Sequence, residues 1–267
     1  MFIEFREYLK NNNMSANTIK SYLCSVNLFN ERYKKWTKNN LLQYKNFLIE
    51  NYKPKTVNLR ILGINKYLDF VNKPELKLKE VKTQQKTFLE NVISLEDYEY
   101  FKKCLFRDKN YMWYFVVWFL AATGARVSEL IEFKMEHIET GSVDVYSKGG
   151  KIRRIYIPQN LQKEYLNYAL SNKINSGFIF KNKYGDRITT QGIANQLKVY
   201  SRKYKLNVNV VHPHSFRHLF AKTFLSKCND ISLLADLLGH DSIETTRIYL
   251  RKTSTEQQQI VNDIVTW

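Results

Sequence analysis

Four short segments, far apart in the chain, each contain polar side chains suited to phosphoryl transfer. The first two supply an arginine and a lysine. In Thr-Gly-Ala-Arg126-Val-Ser-Glu129, an arginine follows a glycine at the end of an apolar stretch. A guanidinium in that position can hold a phosphate through two parallel hydrogen bonds. Glu129 is one helical turn further on and could orient this arginine, although Arg–Glu at this spacing is also a common surface pair. Lys148, in the turn Ser147-Lys-Gly-Gly150, could donate a proton to a leaving oxygen or simply face solvent.

The third segment is rich in histidine. In His212-Pro-His214-Ser-Phe-Arg217-His218, residues 214, 217 and 218 share one face if the segment is helical. Pro213 suits the first turn, so His214 and Arg217 would point at an anion near the start of that helix. The His-x-His spacing also occurs in zinc sites, but no third soft ligand is close and Arg217 would repel a cation. We therefore expect no metal here.

The fourth segment contains the candidate nucleophile. In Leu-Gly239-His240-Asp-Ser-Ile-Glu-Thr-Thr-Arg-Ile-Tyr249, Gly239 closes one helix and Asp241 or Ser242 caps the next. Tyr249 is then about two turns along that second helix. The chain has 18 tyrosines, so only the whole arrangement distinguishes this one.

The composition favours a polyanionic partner. The 267 residues have a net charge of +17, and both parts of the chain are basic when it is divided at residue 90, by +9 and +8. Lysine and arginine that neutralise phosphates release condensed counterions, so nucleic acid fits better than an anionic membrane surface. Codon bias toward AT-rich DNA could account for part of the excess. Three scattered cysteines without a C-x-x-C motif indicate a reduced cytoplasmic protein without a disulfide framework.

The elements that must position these residues fall into two groups. Residues 1–72 predict four helices, with Ser15 or Asn17 as a cap and Pro54 opening the fourth. Residues 73–90 lose apolar periodicity and predict a linker. Polar residues on the second and fourth helices are candidates for phosphate contacts, or belong to an ordinary solvated face: Lys20, Lys55, Thr56 and Arg60.

Residues 91–267 predict a second, mainly helical domain. Ser94 caps its first helix, and the apolar run 112–122 is too short to cross a bilayer and predicts a buried helix. One β-hairpin is expected, with Val143 and Val145 on one strand and Ile152, Ile155 and Ile157 on the other. A short strand is possible at 178–180. The predicted fold class is therefore mainly α with a small antiparallel sheet.

Together the four segments resemble the tyrosine recombinase (phage integrase) family. The family's constellation of Arg, Lys, His-x-x-Arg, His and Tyr falls here on Arg126, Lys148, His214, Arg217, His240 and Tyr249. The resemblance covers nearly the whole chain, because residues 1–72 also look like the four-helix, SAM-like core-binding domain of compact Xer-type and transposon-borne members. The departures are mild and miss every catalytic position: Phe216 replaces the usual Leu, and Leu250-Arg251 replaces Thr-His.

This resemblance implies a mechanism. Tyr249 attacks the scissile phosphate and forms a 3′-phosphotyrosine with a free 5′-hydroxyl, while His214 accepts the phenolic proton. Arg126 and Arg217 hold the non-bridging oxygens, Lys148 protonates the 5′-oxygen, and His240 hydrogen-bonds the phosphate. Glu129 and His218 support these groups. Neither ATP nor a metal is needed, so no cofactor is expected.

The resemblance also implies partners. Both domains would close on double-stranded DNA as parts of a tetramer, and no membrane is involved. The tail 252–267, through Ile260, Ile264 and Trp267, would dock on a neighbouring protomer, or alternatively pack on its own domain. The alternatives in function are DNA relaxation of the type IB topoisomerase kind and a catalytically silent regulator. All six catalytic positions are occupied, which argues against the regulator. The outcome, whether integration, excision, inversion or resolution, stays open.

Overall fold

The computed structural model describes residues 2–83, 91–146, 152–250 and 254–265. The chain divides into two compact units, Met1–Gln85 and Lys86–Trp267. The boundary falls inside the segment 73–90, where the sequence predicts a linker. The described residues are mainly helical with one two-stranded antiparallel sheet, which confirms the predicted fold class.

The first unit contains four α-helices, α1 (Phe2–Asn11), α2 (Ala16–Arg32), α3 (Lys38–Asn51) and α4 (Pro54–Phe70). Ser15 caps α2 by accepting a hydrogen bond from the Thr18 N–H, and Pro54 occupies the first turn of α4. Helices α2 and α4 cross closely, since a side-chain carbon at Gly63 would lie 2.8 Å from Cβ of Ser25. Aromatic and aliphatic side chains fill the interior, among them Phe5, Phe29, Tyr44, Ile61 and Ile64.

The segment that follows α4 is bound to the first unit for about ten residues, whereas a free linker would make no such contacts. The side chain of Asn65 accepts from the N–H of Leu78 (2.9 Å) and donates to its carbonyl (2.8 Å). Asn58, two turns earlier, makes the same pair of bonds to Val81 (2.8 and 3.0 Å). Leu78 is only 5% exposed. A predicted loop without periodicity therefore has its backbone satisfied by side-chain amides, which no pattern in the segment itself could indicate.

The second unit contains the remaining helices and the hairpin. Its elements are α5 (Leu95–Arg107), α6 (Tyr111–Thr123), α7 (Val127–Leu130), α8 (Met135–Thr140), β1 (Ser142–Tyr146), β2 (Ile152–Tyr156), α9 (Gln159–Ser171), α10 (Thr190–Lys203), α11 (Pro213–Lys227), α12 (Ile231–Leu238), α13 (Ile243–Arg247), a 3₁₀ turn (Ile248–Leu250) and α14 (Ser254–Ile264).

The apolar run predicted as a buried helix is α6, the centre of the core. Its side chains pack against α5, α9 and α11 and include Phe115, Val116, Phe119 and Leu120. The helix ends at Gly124, whose φ of 62° lies in the left-handed region. A side-chain carbon at Gly124 would also lie 2.5 Å from Cδ1 of Phe220. Glycine is therefore required at this break, which leads directly into Arg126.

The hairpin pairs β1 with β2 in register, with Val143 opposite Ile155 and Val145 opposite Arg153. Val143 and Ile155 face the core, whereas Ile152, at the start of the predicted second strand, is 58% exposed. Successive side chains of a strand point to opposite faces, so Arg153 shares the inward face with Ile155 and Ile157, and Ile152 points the other way. The turn 147–151, which contains Lys148, lies outside the described residues. At 178–180 the structure has only a single bridge, between Lys134 and Phe178, where a short strand was considered.

The end of the unit follows the predicted caps. Gly239 closes α12 with φ of 62°, and Ser242 caps α13 by accepting from the Glu244 N–H. The tail helix α14 is almost entirely exposed. None of the helices among the described residues is long and apolar enough to cross a membrane.

Candidate active site

Arg126 stands at the start of α7 and is held by Glu129. Its backbone N–H donates to Oε2 of Glu129 (2.7 Å), and its Nη1 donates to Oε1 (2.9 Å). Its Nη2 donates to the carbonyl oxygen of Gly239 (3.2 Å). The Arg126 side chain is 40% exposed and borders a cavity of about 780 Å³. The guanidinium is therefore fixed at two points and remains open to a ligand.

Arg217 lies in the interior, on the second turn of α11. It is 1% exposed, donates from Nη1 to the carbonyl of Gly124 (2.7 Å) and donates from Nη2 to the carbonyl of Leu238 (2.6 Å). Burial lowers the pKa of Arg217 to about 10, so it keeps its charge at neutral pH. No carboxylate among the described residues forms an ion pair with Arg217. A buried positive charge is thus left for an anion to neutralise.

His240 is held between Arg217 and Thr246. Its Nε2 lies 3.1 Å from Nη2 of Arg217, and its Nδ1 lies 2.8 Å from Oγ1 of the buried Thr246. A guanidinium only donates, so we assign Nε2 as acceptor and place the proton of the neutral ring on Nδ1, which donates to Thr246. Burial and the nearby arginines lower the pKa of His240 to about 4, which agrees with a neutral ring.

His214 and His218 are on neighbouring turns of α11, with ring centroids 4.6 Å apart. Although His214 as a residue is exposed, partial burial of its ring and the charge of Arg217 lower the pKa of His214. Burial lowers the pKa of His218 to about 4. The Nδ1 atom of His218 is buried without a hydrogen-bond partner among the described residues. Both rings are therefore neutral at physiological pH.

Tyr249 lies in the 3₁₀ turn after α13 and is 4% exposed. Its ring stacks on that of His240 at 6.1 Å and meets the edge of His218 at 5.1 Å. Burial raises the pKa of Tyr249, and the guanidinium of Arg217 beside it opposes that rise in part. The hydroxyl therefore starts as a neutral phenol in a positively charged surrounding.

The structure thus brings together most of the predicted site residues. Arg217 contacts His240, whose ring stacks on that of Tyr249. Arg126 reaches the same place through the carbonyl of Gly239, which is adjacent in the chain to the Leu238 carbonyl that Arg217 bonds. His214 borders this group through His218. Lys148 lies outside the described residues. Because its placement is not described, the proton donor to the leaving oxygen rests on the sequence alone.

The predicted DNA contacts of the first unit have unequal exposure. Lys20 and Lys55 are exposed, whereas Thr56 and Arg60 are half-buried. Nη1 of Arg60 lies 3.4 Å from the carbonyl of Ser21 on α2. Arg60 is therefore less open than an ordinary solvated position, because the close crossing of α2 and α4 covers part of its side chain.

Sequence reasoning missed two residues that contact this site. Arg153, on the inward face of β2, is 7% exposed and donates to Glu129 Oε2 (2.6 Å) and to the carbonyl of Leu237 (2.6 Å). Its position in phase with Ile155 and Ile157 was the available signal, since a charged residue at an inward strand position needs a partner. Thr246 carried no comparable signal.

Within the described ranges, no group of three or more His, Cys, Asp or Glu side chains is arranged to hold a metal ion. The His-x-His spacing considered for zinc therefore has no matching cluster in that part of the chain.

Comparison with known proteins agrees with the fold and shows the family. A model of the phage integrase family matches residues 91–256. Tyrosine recombinase XerA of Pyrococcus furiosus is 32% identical over 97% of this chain and 91% of its own length. The TnP I resolvase of Bacillus thuringiensis is 26% identical over 97% of this chain and 96% of its own. The Tn1549 transposon integrase in complex with circular intermediate DNA superposes with a TM-score of 0.74 at 15% identity, covering 99% of both chains.

These findings define the class of protein as an enzyme that cleaves and religates DNA strands at specific sites. The chain belongs to the phage integrase family of tyrosine recombinases.

Proposed function

We propose that Tyr249 is the nucleophile of this recombinase and that Arg126, Arg217, His240, His214 and Lys148 complete its active site. The observation that carries the proposal is the contact set around Arg217. This buried guanidinium has no carboxylate partner among the described residues, lies beside the Tyr249 hydroxyl, and bonds to His240. A phosphate between these groups would meet a nucleophile and a positive charge at once.

The two arginines would bind the phosphate from different positions. Arg217 supplies a buried charge, and Arg126 supplies a partly exposed charge that a DNA strand can reach from the solvent side. Both are held by carbonyl oxygens before the substrate arrives, so little reorganisation is needed as charge develops on the non-bridging oxygens. Removing one such donor typically costs about 3–4 kcal/mol in the transition state.

The phenolic proton must leave before or during attack. Because burial raises the pKa of Tyr249, the neutral form dominates at physiological pH. His214 accepts this proton, since its lowered pKa keeps the ring neutral. The tyrosine oxygen then bonds to phosphorus, the bond from phosphorus to the 5′-oxygen breaks, and Lys148 gives that oxygen a proton. Attack of a second 5′-hydroxyl reverses these steps and frees Tyr249.

The pH dependence of cleavage tests His214. A pKa below that of an ordinary histidine means that the base-competent form persists to lower pH, so the rate should stay level from pH 8 down to about 6.5 and fall below that. Single-turnover cleavage at constant ionic strength measures this, with DNA affinity followed at each pH. His214→Gln should be slow at every pH and lose the acidic fall. A rate that already drops well above pH 7 would assign the titration to another group.

The first unit is proposed to hold the DNA backbone with Lys20, Lys55 and Thr56. The two lysines are exposed, and Lys55 and Thr56 lie in the first turn of α4, where the positive end of the helix dipole favours phosphate. Arg60 is kept as a weaker candidate because it is half-buried. Binding of this kind should weaken steeply with salt.

The tail is proposed to join protomers into a tetramer on DNA. Ile260 and Ile264 of α14 are 36% and 64% exposed, so an apolar stripe of the helix is uncovered within the described chain. Trp267, the third residue of the predicted stripe, lies outside the described residues. The proposed location of the protein is the cytoplasm, where thiols such as Cys24, Cys104 and Cys228 stay reduced.

Removal of residues 255–267 tests the tail. We expect covalent cleavage of a single site to continue while synapsis of two sites is lost. Gel mobility and light scattering of the DNA complexes measure the assembly. Ile264→Ser should reproduce the loss of synapsis, and Asp263→Ser, at an exposed neighbouring position, should not. Full synapsis by the truncated protein would remove the tail from the interface.

The experiment for the function itself identifies the DNA first. Covalent protein–DNA complexes trapped from random-sequence duplexes are sequenced to obtain the cleaved site, and two copies are placed in one supercoiled plasmid. Recombinant products with exchanged flanks are the expected result. Relaxation of any plasmid without recombinants would instead favour a topoisomerase-like activity.

A further inference from the structure

The C-terminal end of α12 bonds to three arginines at once. The N–H groups of Gly239 and His240 satisfy the carbonyls of Asp236 and Ala235 in a glycine-terminated cap. The next three carbonyls have no helical partner and each accepts from a guanidinium: Leu237 from Arg153 (2.6 Å), Leu238 from Arg217 (2.6 Å) and Gly239 from Arg126 (3.2 Å). The negative end of the helix dipole faces the same three charges.

Arg153 differs from the other two in what it touches. Its Nη2 bonds to Glu129 and its Nη1 to Leu237, so one rigid fork spans α7 and α12. Its side chain is 6% exposed, against 40% for that of Arg126, which leaves it less accessible to a ligand. Arg153 therefore connects the residue that holds Arg126 to the helix end that holds Arg217.

Glu129 shares its charge between two arginines. Oε1 faces Arg126, whereas Oε2 accepts from the Arg126 backbone N–H and from Arg153. Because Arg153 takes part of the carboxylate, Glu129 can orient Arg126 without fully neutralising it. Three guanidiniums against one carboxylate leave a positive site.

Gly239 shows how closely Arg153 crosses the helix end. A side-chain carbon there would collide with Cδ of Arg153 and lie 2.6 Å from its Nε, and φ is 62°. The glycine therefore permits both the left-handed cap and the approach of Arg153.

We propose that Arg153 is a positioning residue that sets Arg126 and Arg217 for the scissile phosphate without touching it. The proposal rests on the proposed function of those two arginines. A lysine at this position keeps the charge but has a single nitrogen, so it cannot span Glu129 and Leu237 in the same way.

Arg153→Lys tests the proposal in the full-length protein on a nicked suicide duplex that carries the cleaved site. We expect the single-turnover rate of covalent complex formation to fall about 10- to 100-fold, as for a residue that orients a catalytic group. DNA affinity and melting temperature should stay close to those of the wild type. Arg154→Lys, which changes an exposed neighbour paired with Asp144, is the matched control and should cleave normally.

Two further measurements separate positioning from general support. A duplex with a methylphosphonate at the scissile position lacks one charged oxygen, so it depends less on the arginines and the Arg153→Lys deficit should shrink. Arg153→Lys should cost less in a Glu129→Gln background than in the wild type, because the two variants share the path to Arg126 and only the path to Arg217 through Leu237 remains. Fully additive losses, or an equal deficit on both duplexes, would overturn the proposal.

The remaining outcomes are also decisive. Wild-type cleavage rates in Arg153→Lys, or losses of affinity that match the losses of rate, refute the positioning role and leave the proposed function standing. Absence of a Tyr249-linked complex in the wild type refutes both. If Arg153→Lys does not fold, Gly239→Ala displaces the same side chain with all charges kept, and normal cleavage by that variant refutes the proposal.

Discussion

Tyr249→Phe is expected to abolish the covalent protein–DNA complex while the protein still folds and binds DNA. Phenylalanine keeps the ring between His218 and His240 and removes only the hydroxyl. Loss of a catalytic nucleophile can cost up to about 10⁶-fold in rate, so we expect a loss of at least about 10³-fold. A denaturing gel of a labelled suicide duplex measures it, because only a covalent complex survives denaturation.

The matched control is Tyr156→Phe. Tyr156 lies on β2 and is 59% exposed, so the same chemical change there should leave the covalent complex unaltered. Covalent complex at the wild-type level in Tyr249→Phe would mean that another of the chain's hydroxyl groups is the nucleophile.

Arg217→Lys is expected to have the next largest effect, on rate and on stability together. The buried guanidinium of Arg217 donates hydrogen bonds to the carbonyls of Gly124 and Leu238 and to the ring of His240. The single nitrogen of a lysine cannot reach all three acceptors. Each buried carbonyl left without a donor costs about 1–3 kcal/mol in the free energy of unfolding. Loss of the donor from the transition state should slow cleavage about 10²- to 10³-fold.

Comparison with Arg126→Lys makes this prediction specific. Arg126 is partly exposed, so its replacement should slow cleavage while changing the melting temperature little. Arg107→Lys, at a side chain that is 70% exposed, should change neither quantity. Denaturant unfolding followed by circular dichroism measures stability, and the suicide duplex measures rate. If Arg217→Lys were as stable as the wild type, the role of Arg217 in joining α6, α11 and α12 would be refuted.

Local signals in the sequence were sufficient for many elements. Ser15, Ser94 and Ser242 cap helices because a short hydroxyl side chain satisfies a free N–H at the helix start. Gly124 and Gly239 end helices because only glycine adopts the left-handed conformation without cost. Such signals depend on neighbours within one turn, and they appear in the sequence directly.

Signals that depend on distant partners were weaker or missing. Asn58 and Asn65 look like ordinary polar residues of α4, yet they bind the backbone of 78–81. Arg60 has the side chain of an ordinary phosphate contact, yet its contact with α2 leaves it half-buried. Ile152 and Arg153 are adjacent on β2, and the structure places the charged Arg153, not the apolar Ile152, on the inward face.

By itself, the sequence determined the identity of the chemical groups and the helices that carry them, because motif spacing, caps and periodicity act over a few residues. Tertiary structure alone decided which role each of the three arginines has. Arg126, Arg153 and Arg217 are alike as residue types, and they differ only after α7, β2 and α11 meet the end of α12. Burial, helix-end carbonyls and the shared carboxylate of Glu129 then leave one guanidinium open, one enclosed beside Tyr249, and one joining the other two.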